Sequence, residues 1–140
     1  MPASKKGSAT GVDVSVEEVV AYLRVEGGYA AAAAKVAERK AAAEAARAAR
    51  IRVTAKELQA AADGFRALRD LGKASDTNKW MKANGITVEE LEGYLETNIL
   101  MAKLRDSLAK KAPKRLGTSK AVKNLIRELA YQEWLASALK

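Results

Sequence analysis

Ile86-Thr87-Val88-Glu89-Glu90-Leu91 reads as the start of a helix before anything else about the chain is known. The Thr87 hydroxyl can accept from the backbone N–H three residues on, and Glu90 can reach back to the Thr87 N–H. Ile86 and Leu91 flank the box and staple the entry angle. The same pattern occurs at Val53-Thr54 with Glu57-Leu58 and at Val14-Ser15 with Glu18-Val19. Three helix starts at unequal spacing, with no match between the intervening sequences, describe separate helices of one domain and not a solenoid.

From these starts most of the chain can be laid out. The first box predicts a short helix from about Val16 to Val25, stopped by Gly27-Gly28. An alanine-rich helix follows from Tyr29 to Ala49 or Arg50, where thirteen of twenty-two residues are alanine, the strongest helix former. Its small side chains suit a central packing element that neighbours approach closely. The second box predicts a helix from Ala55 to about Leu71, with Leu58, Ala61, Ala62, Phe65, Leu68 and Leu71 on one stripe. Gly72 ends it, Ser75 or Asp76 caps a short helix through Trp80 and Met81, and Asn84-Gly85 closes that helix. The third box opens a long helix from Val88 to about Lys110, whose apolar face is wider than one partner helix needs. After Pro113 and Gly117, Ser119 caps a last helix through Leu139 with Val122, Leu125, Ile126, Leu129 and Leu135 inward. With no period-two alternation, the fold class is all-α: about six helices in one compact domain over 12–140, the C-terminal helix returning to pack on the N-terminal ones. Residues 1–11 read as a disordered basic segment and about 110–118 as a basic linker.

Composition removes several chemistries. With neither cysteine nor histidine, the chain has no disulfide framework, no thiol nucleophile, no serine–histidine triad and no zincin or zinc deaminase site. Ser107-Leu108-Ala109-Lys110 has the spacing of some acyl-enzymes but none of their companion motifs, and reads as a solvated helix end. Glu89, Glu92 and Glu96 share a helical face and favour the helix dipole more simply than they bind a metal. No glycine pattern fits a phosphate or dinucleotide loop, so the reading is a non-enzyme without cofactor or metal. The first eleven residues hold no apolar run of signal-peptide length and no stretch reaches a membrane span, which predicts a cytoplasmic protein.

Charge is concentrated. Of the net +8, residues 1–100 contribute +1 from 15 basic and 14 acidic groups, while 101–124 hold eight basic residues against Asp106 alone. Lys103, Lys110, Lys111, Lys114, Arg115 and Lys120 form a patch that would attract acidic peptides or other polyanions. Trp80, Met81, Tyr94, Met101, Tyr131 and Trp134 are the large adaptable side chains suited to promiscuous peptide contact. A helix-turn-helix across Trp80 to Thr87 would lead with Glu89, Glu90 and Glu92, which phosphates repel. Sequence-nonspecific binding of nucleic acid through the basic stretch is the alternative function.

The segment Asn84-Gly85-Ile86-Thr87-Val88-Glu89-Glu90-Leu91 running on to Ile99-Leu100-Met101-Ala102-Lys103-Leu104-Arg105 resembles the long helix of the helical chaperone domain in SurA-like, parvulin-associated proteins. Val53-Thr54-Ala55-Lys56-Glu57-Leu58 resembles the helix before it. Val122 to Leu135, with Ile126-Arg127-Glu128-Leu129, resembles the helix that returns to complete that domain. The resemblance implies a chaperone module holding an unfolded, precursor or leader-like polypeptide. Its parvulin domain would sit between the long and returning helices, where this chain has only about Ala109 to Thr118. What is implied is a chaperone module without isomerase activity.

Overall fold

The computed structural model describes residues 11–111 and 120–140, which form six helices and no β-strand among them: α1 (Val16–Glu26), α2 (Gly28–Ala48), α3 (Ala55–Leu68), α4 (Ala74–Asn84), α5 (Val88–Lys110) and α6 (Lys120–Ala138). Ser119, the expected cap of α6, lies outside the described residues. All three capping boxes form: Ser15, Thr54 and Thr87 each accept from the N–H of the glutamate three residues on, at 3.1 Å, and that glutamate's carboxylate accepts from the cap N–H.

The helix ends are equally regular. At the end of α2, Ile51 N–H donates to the Ala46 carbonyl at 2.9 Å and Arg50 N–H to that of Arg47, with Arg50 left-handed at φ 63°. Leu71 and Asp70 repeat this on Arg66 and Ala67 after α3, and Ile86 and Gly85 on Met81 and Lys82 after α4. These are Schellman closures, each followed by an apolar residue that folds back on its own helix. Two of the three place a side chain where glycine is the comfortable residue. This is why α3 stops at Leu68 rather than near Leu71, with Asp70 and not Gly72 turning the chain.

The connection from α3 to α4 is organised by Arg66, which donates to the Leu71 carbonyl at 3.1 Å, the Gly72 carbonyl at 3.0 Å and the Thr77 hydroxyl at 3.1 Å; that hydroxyl in turn donates to the Leu71 carbonyl at 2.8 Å. With these groups satisfied internally, α4 begins at Ala74 behind Lys73, without the side-chain cap expected of Ser75 or Asp76.

α5 is the axis of the domain, packed by α2, α3 and α6. Its broad apolar face is wrapped on several sides, not left open. Leu100, Met101 and Leu104 of α5 meet Ala42, Ala43 and Ala46 of α2 and Tyr131 of α6, with Ile51, Val53, Leu108, Trp134 and Leu135 against them. α6 does return and pack, on α5 and on α2, and Leu135 lies against the core as expected, but Leu125 and Leu129 do not. Leu125 and Leu129 are 58% and 54% exposed, whereas Tyr131 is fully buried. The cause is polar. Arg105 pairs with Glu128 at 3.1 Å, Arg127 pairs with Asp106, and Arg127 also donates to the Ala102 carbonyl at 3.2 Å. These contacts rotate α6 so that the Tyr131 hydroxyl donates to Glu38 of α2 at 2.7 Å. At about 100° per residue, Leu125 and Leu129 then point well away from the core.

Burial, reinforced by the Glu38 carboxylate, pushes the Tyr131 phenol well above its ordinary range. Arg105 lies 4.0 Å over its ring.

Two substitutions check this architecture by urea denaturation followed by circular dichroism. Tyr131→Phe leaves the Glu38 carboxylate, whose side chain is 15% exposed, without its hydroxyl donor; a loss of about 1–3 kcal/mol is expected. Arg50→Gly relieves the left-handed backbone on the surface and should gain roughly 0.5–1 kcal/mol.

Candidate peptide-binding site

The six side chains named from sequence fall in three separate places. Met101 and Tyr131 belong to the core, and half-buried Trp134 packs on Tyr131 at 5.7 Å between ring centroids. Tyr94 stands 47% exposed on the α2–α5 face, where Arg39 stacks 4.4 Å over its ring and donates to its carbonyl at 2.8 Å and to Asn98 Oδ1 at 2.7 Å. Trp80 and Met81 sit at the far end on α4. Trp80 meets Phe65 of α3 edge-on at 5.5 Å, and Arg69 lies over both rings, so its indole is committed to holding α4 against α3. No single surface gathers all six.

One of them does line an open groove. Where α4 closes and α5 opens, Met81, Ile86 and Val88 form the apolar floor and lip of a depression of about 760 Å³, with Lys79 and Lys82 beside them. Asn78, Gly85 and Thr87 complete the lining, and among the described residues it contains no carboxylate. Met81 is itself buried, at 9% exposure, so only a small part of its side chain shows in the floor, and its carbonyl accepts from Ile86 N–H at 2.9 Å. Val88 is 55% exposed. Apolar contact flanked by two cations suits an acidic segment with an apolar anchor. Lys79, Lys82, Ile86 and Val88 were not read from sequence as contact residues. The available signal was Lys79 and Lys82 one turn apart on either side of Met81, a spacing that shares a helix face.

A second groove of about 460 Å³ runs between α2 and α5, with Val36, Arg39, Lys40 and Arg47 on one wall and Gly93, Tyr94 and Thr97 on the other.

The basic patch is divided by the fold. Lys103 is a structural tie: it pairs with Glu57 Oε2 at 2.7 Å and donates to the Arg52 carbonyl at 2.8 Å, binding α5 to the capping box that starts α3. Arg105 and Arg127 hold α6. Lys110, Lys111, Lys120 and Lys123 are exposed. The antiparallel register set by the Arg105–Glu128 and Asp106–Arg127 pairs brings these four lysines to one end of the α5–α6 pair. Lys114 and Arg115 lie outside the described residues.

Among the described residues no cluster of acidic side chains is placed to hold a metal ion, and no helix is long and apolar enough to cross a membrane. Comparison of the chain with protein families, curated proteins and solved structures finds no match.

The Lys103 contact, with the Thr54 N–H hydrogen bond, holds the Glu57 carboxyl well below the usual range, from 4.5 to about 2. Because the folded value lies below the unfolded one, the contribution is fully present above about 4.5 and is lost as pH falls towards 2. Glu57→Gln should therefore flatten the acid limb of the stability profile between those values. Equal acid sensitivity in the variant and the parent would show that the tie does not contribute.

Proposed function

We propose that the chain is a non-catalytic, chaperone-like peptide-binding module that holds an unfolded, precursor or leader-like polypeptide in the cytoplasm. The α4–α5 groove carries this reading: an apolar strip of Met81, Ile86 and Val88 with Lys79 and Lys82 beside it and no acidic lining among the described residues. An extended acidic segment with an apolar anchor would place that anchor over Met81 and its carboxylates against the two lysines. The likeness of the capped long helix and the returning α6 to SurA-like chaperone domains points the same way. Transient holding requires release, which puts the affinity at roughly micromolar, about −8 kcal/mol.

Lys110, Lys111, Lys120 and Lys123 at the other end of α5 favour a second reading, a small basic protein that binds nucleic acid without sequence preference. The two readings use different residues. Titrating an acidic amphipathic peptide, duplex DNA and RNA at two salt concentrations separates them. On the first reading, peptide binds best, Lys79→Ser with Lys82→Ser removes mainly the salt-dependent part, and Val88→Asp lowers affinity at every salt concentration, by about tenfold or more. On the second, nucleic acid binds with a steep salt slope that weakens when the four distal lysines become serine. Tight nucleic-acid binding with no measurable peptide binding would overturn the chaperone reading.

A further inference from the structure

Among the described residues, the buried cluster that holds α2, α5 and α6 together takes nothing from α3 or α4. Ile51 and Val53, in the segment leading into α3, lie against that cluster, and the chain then leaves it. Leu71 of the α3–α4 connection and Met81 of α4 are buried outside it. The principal helix contacts divide in the same way. α2, α5 and α6 each pack on the other two, whereas α3 packs on α5 alone and α4 enters none of these contacts.

α3 and α4 are instead bound to one another. Arg66 ties the end of α3 to Thr77 of α4 and closes the carbonyls of Leu71 and Gly72 between them. Arg69 lies 4.4 Å over Phe65 and 5.5 Å over Trp80, whose rings meet edge-on across the two helices. Two helices joined through both their connection and their side chains move as one body. Their polar hold on α5 is at the opposite end of α3, where Lys103 pairs with Glu57 at 2.7 Å and donates to the Arg52 carbonyl at 2.8 Å. The two side chains of that pair are 34% and 36% exposed, so water competes for it.

We infer that α3 and α4 form a flap, latched to α5 by Lys103, that opens as a unit while α2, α5 and α6 stay packed. The free energy of such an opening is set by the contacts it breaks and not by the stability of the whole domain. Opening parts the Lys103–Glu57 latch and leaves the cluster around Leu100 and Tyr131 intact. It also carries Asn78, Lys79, Met81 and Lys82, so one wall of the α4–α5 groove moves with the flap. The inference rests on how the helices pack and holds whatever occupies that groove.

Native-state hydrogen exchange of the full chain, followed amide by amide by NMR, should separate two classes. The amides of α3 and α4 should share one opening equilibrium, more open than that shared by the core amides of α2, α6 and the Leu100–Leu104 part of α5. Lys103→Met removes the cation while keeping an unbranched side chain of good helix propensity. It should speed exchange in α3 and α4 by roughly three- to tenfold and leave the core amides unchanged. Glu57→Gln, which preserves the capping box because glutamine also serves there, should act in the same way and stands in if Lys103→Met loses helical signal. Tyr131→Phe is the converse test: with the hydroxyl donor to Glu38 gone, the core amides should exchange faster and those of the flap should not change. A single opening equilibrium shared by α2 through α6, exchange in α3 that is independent of α4, or latch variants that speed the core as much as the flap would overturn the inference.

Discussion

The close approach of α2 to α5 is the constraint on which the other elements depend. Ala42, Ala43 and Ala46 present so little side chain that Leu100, Met101 and Leu104 pack almost against the α2 backbone. Two helices brought this near leave a shallow cleft on each side of their contact. Tyr131 fills one, reaching across α5 to Glu38, while the other, beside Gly93, stays open. A large residue at 42, 43 or 46 would part the helices and displace the phenol from its acceptor, since a packed interior accommodates added volume only with strain.

Polar contacts then set what apolar packing leaves free. Arginines 66, 69, 105 and 127 each bridge two elements, the first two joining α3 to α4 and the others joining α5 to α6. A half-exposed ion pair contributes little energy alone. Its value here is direction: rotation of α6 about its axis is decided by the pairing of residues 105 and 106 with 127 and 128. The same use of charge divides the basic stretch into cations that hold the fold and lysines that face solvent.

Helix positions were legible in the sequence because their signals are local. A hydroxyl, a glutamate three residues on and a flanking apolar pair need no partner from elsewhere in the chain, so α1, α3 and α5 begin where their boxes stand. Ends were less legible where Arg50 and Asp70 take the left-handed turn, because the usual marker is glycine. Of the candidate contact residues, Met81 lines a groove and Tyr94 another, whereas Met101 and Tyr131 were consumed by the core. An aromatic or methionine at helical spacing carries no mark of which side of its helix will be covered.

The sequence by itself determined that the chain is all-α, where its helices start, that histidine and cysteine chemistry is absent and that the excess charge is concentrated near residues 101–124. Only the tertiary structure decided which face of each helix is spent. Leu125 and Leu129 satisfy the apolar periodicity of α6 as well as Tyr131 does, yet they face outward. Periodicity defines a stripe to within the width of a helix face, and the choice within that width falls to contacts between residues far apart in the chain: Tyr131 with Glu38, Arg127 with Asp106, and Lys103 with Glu57.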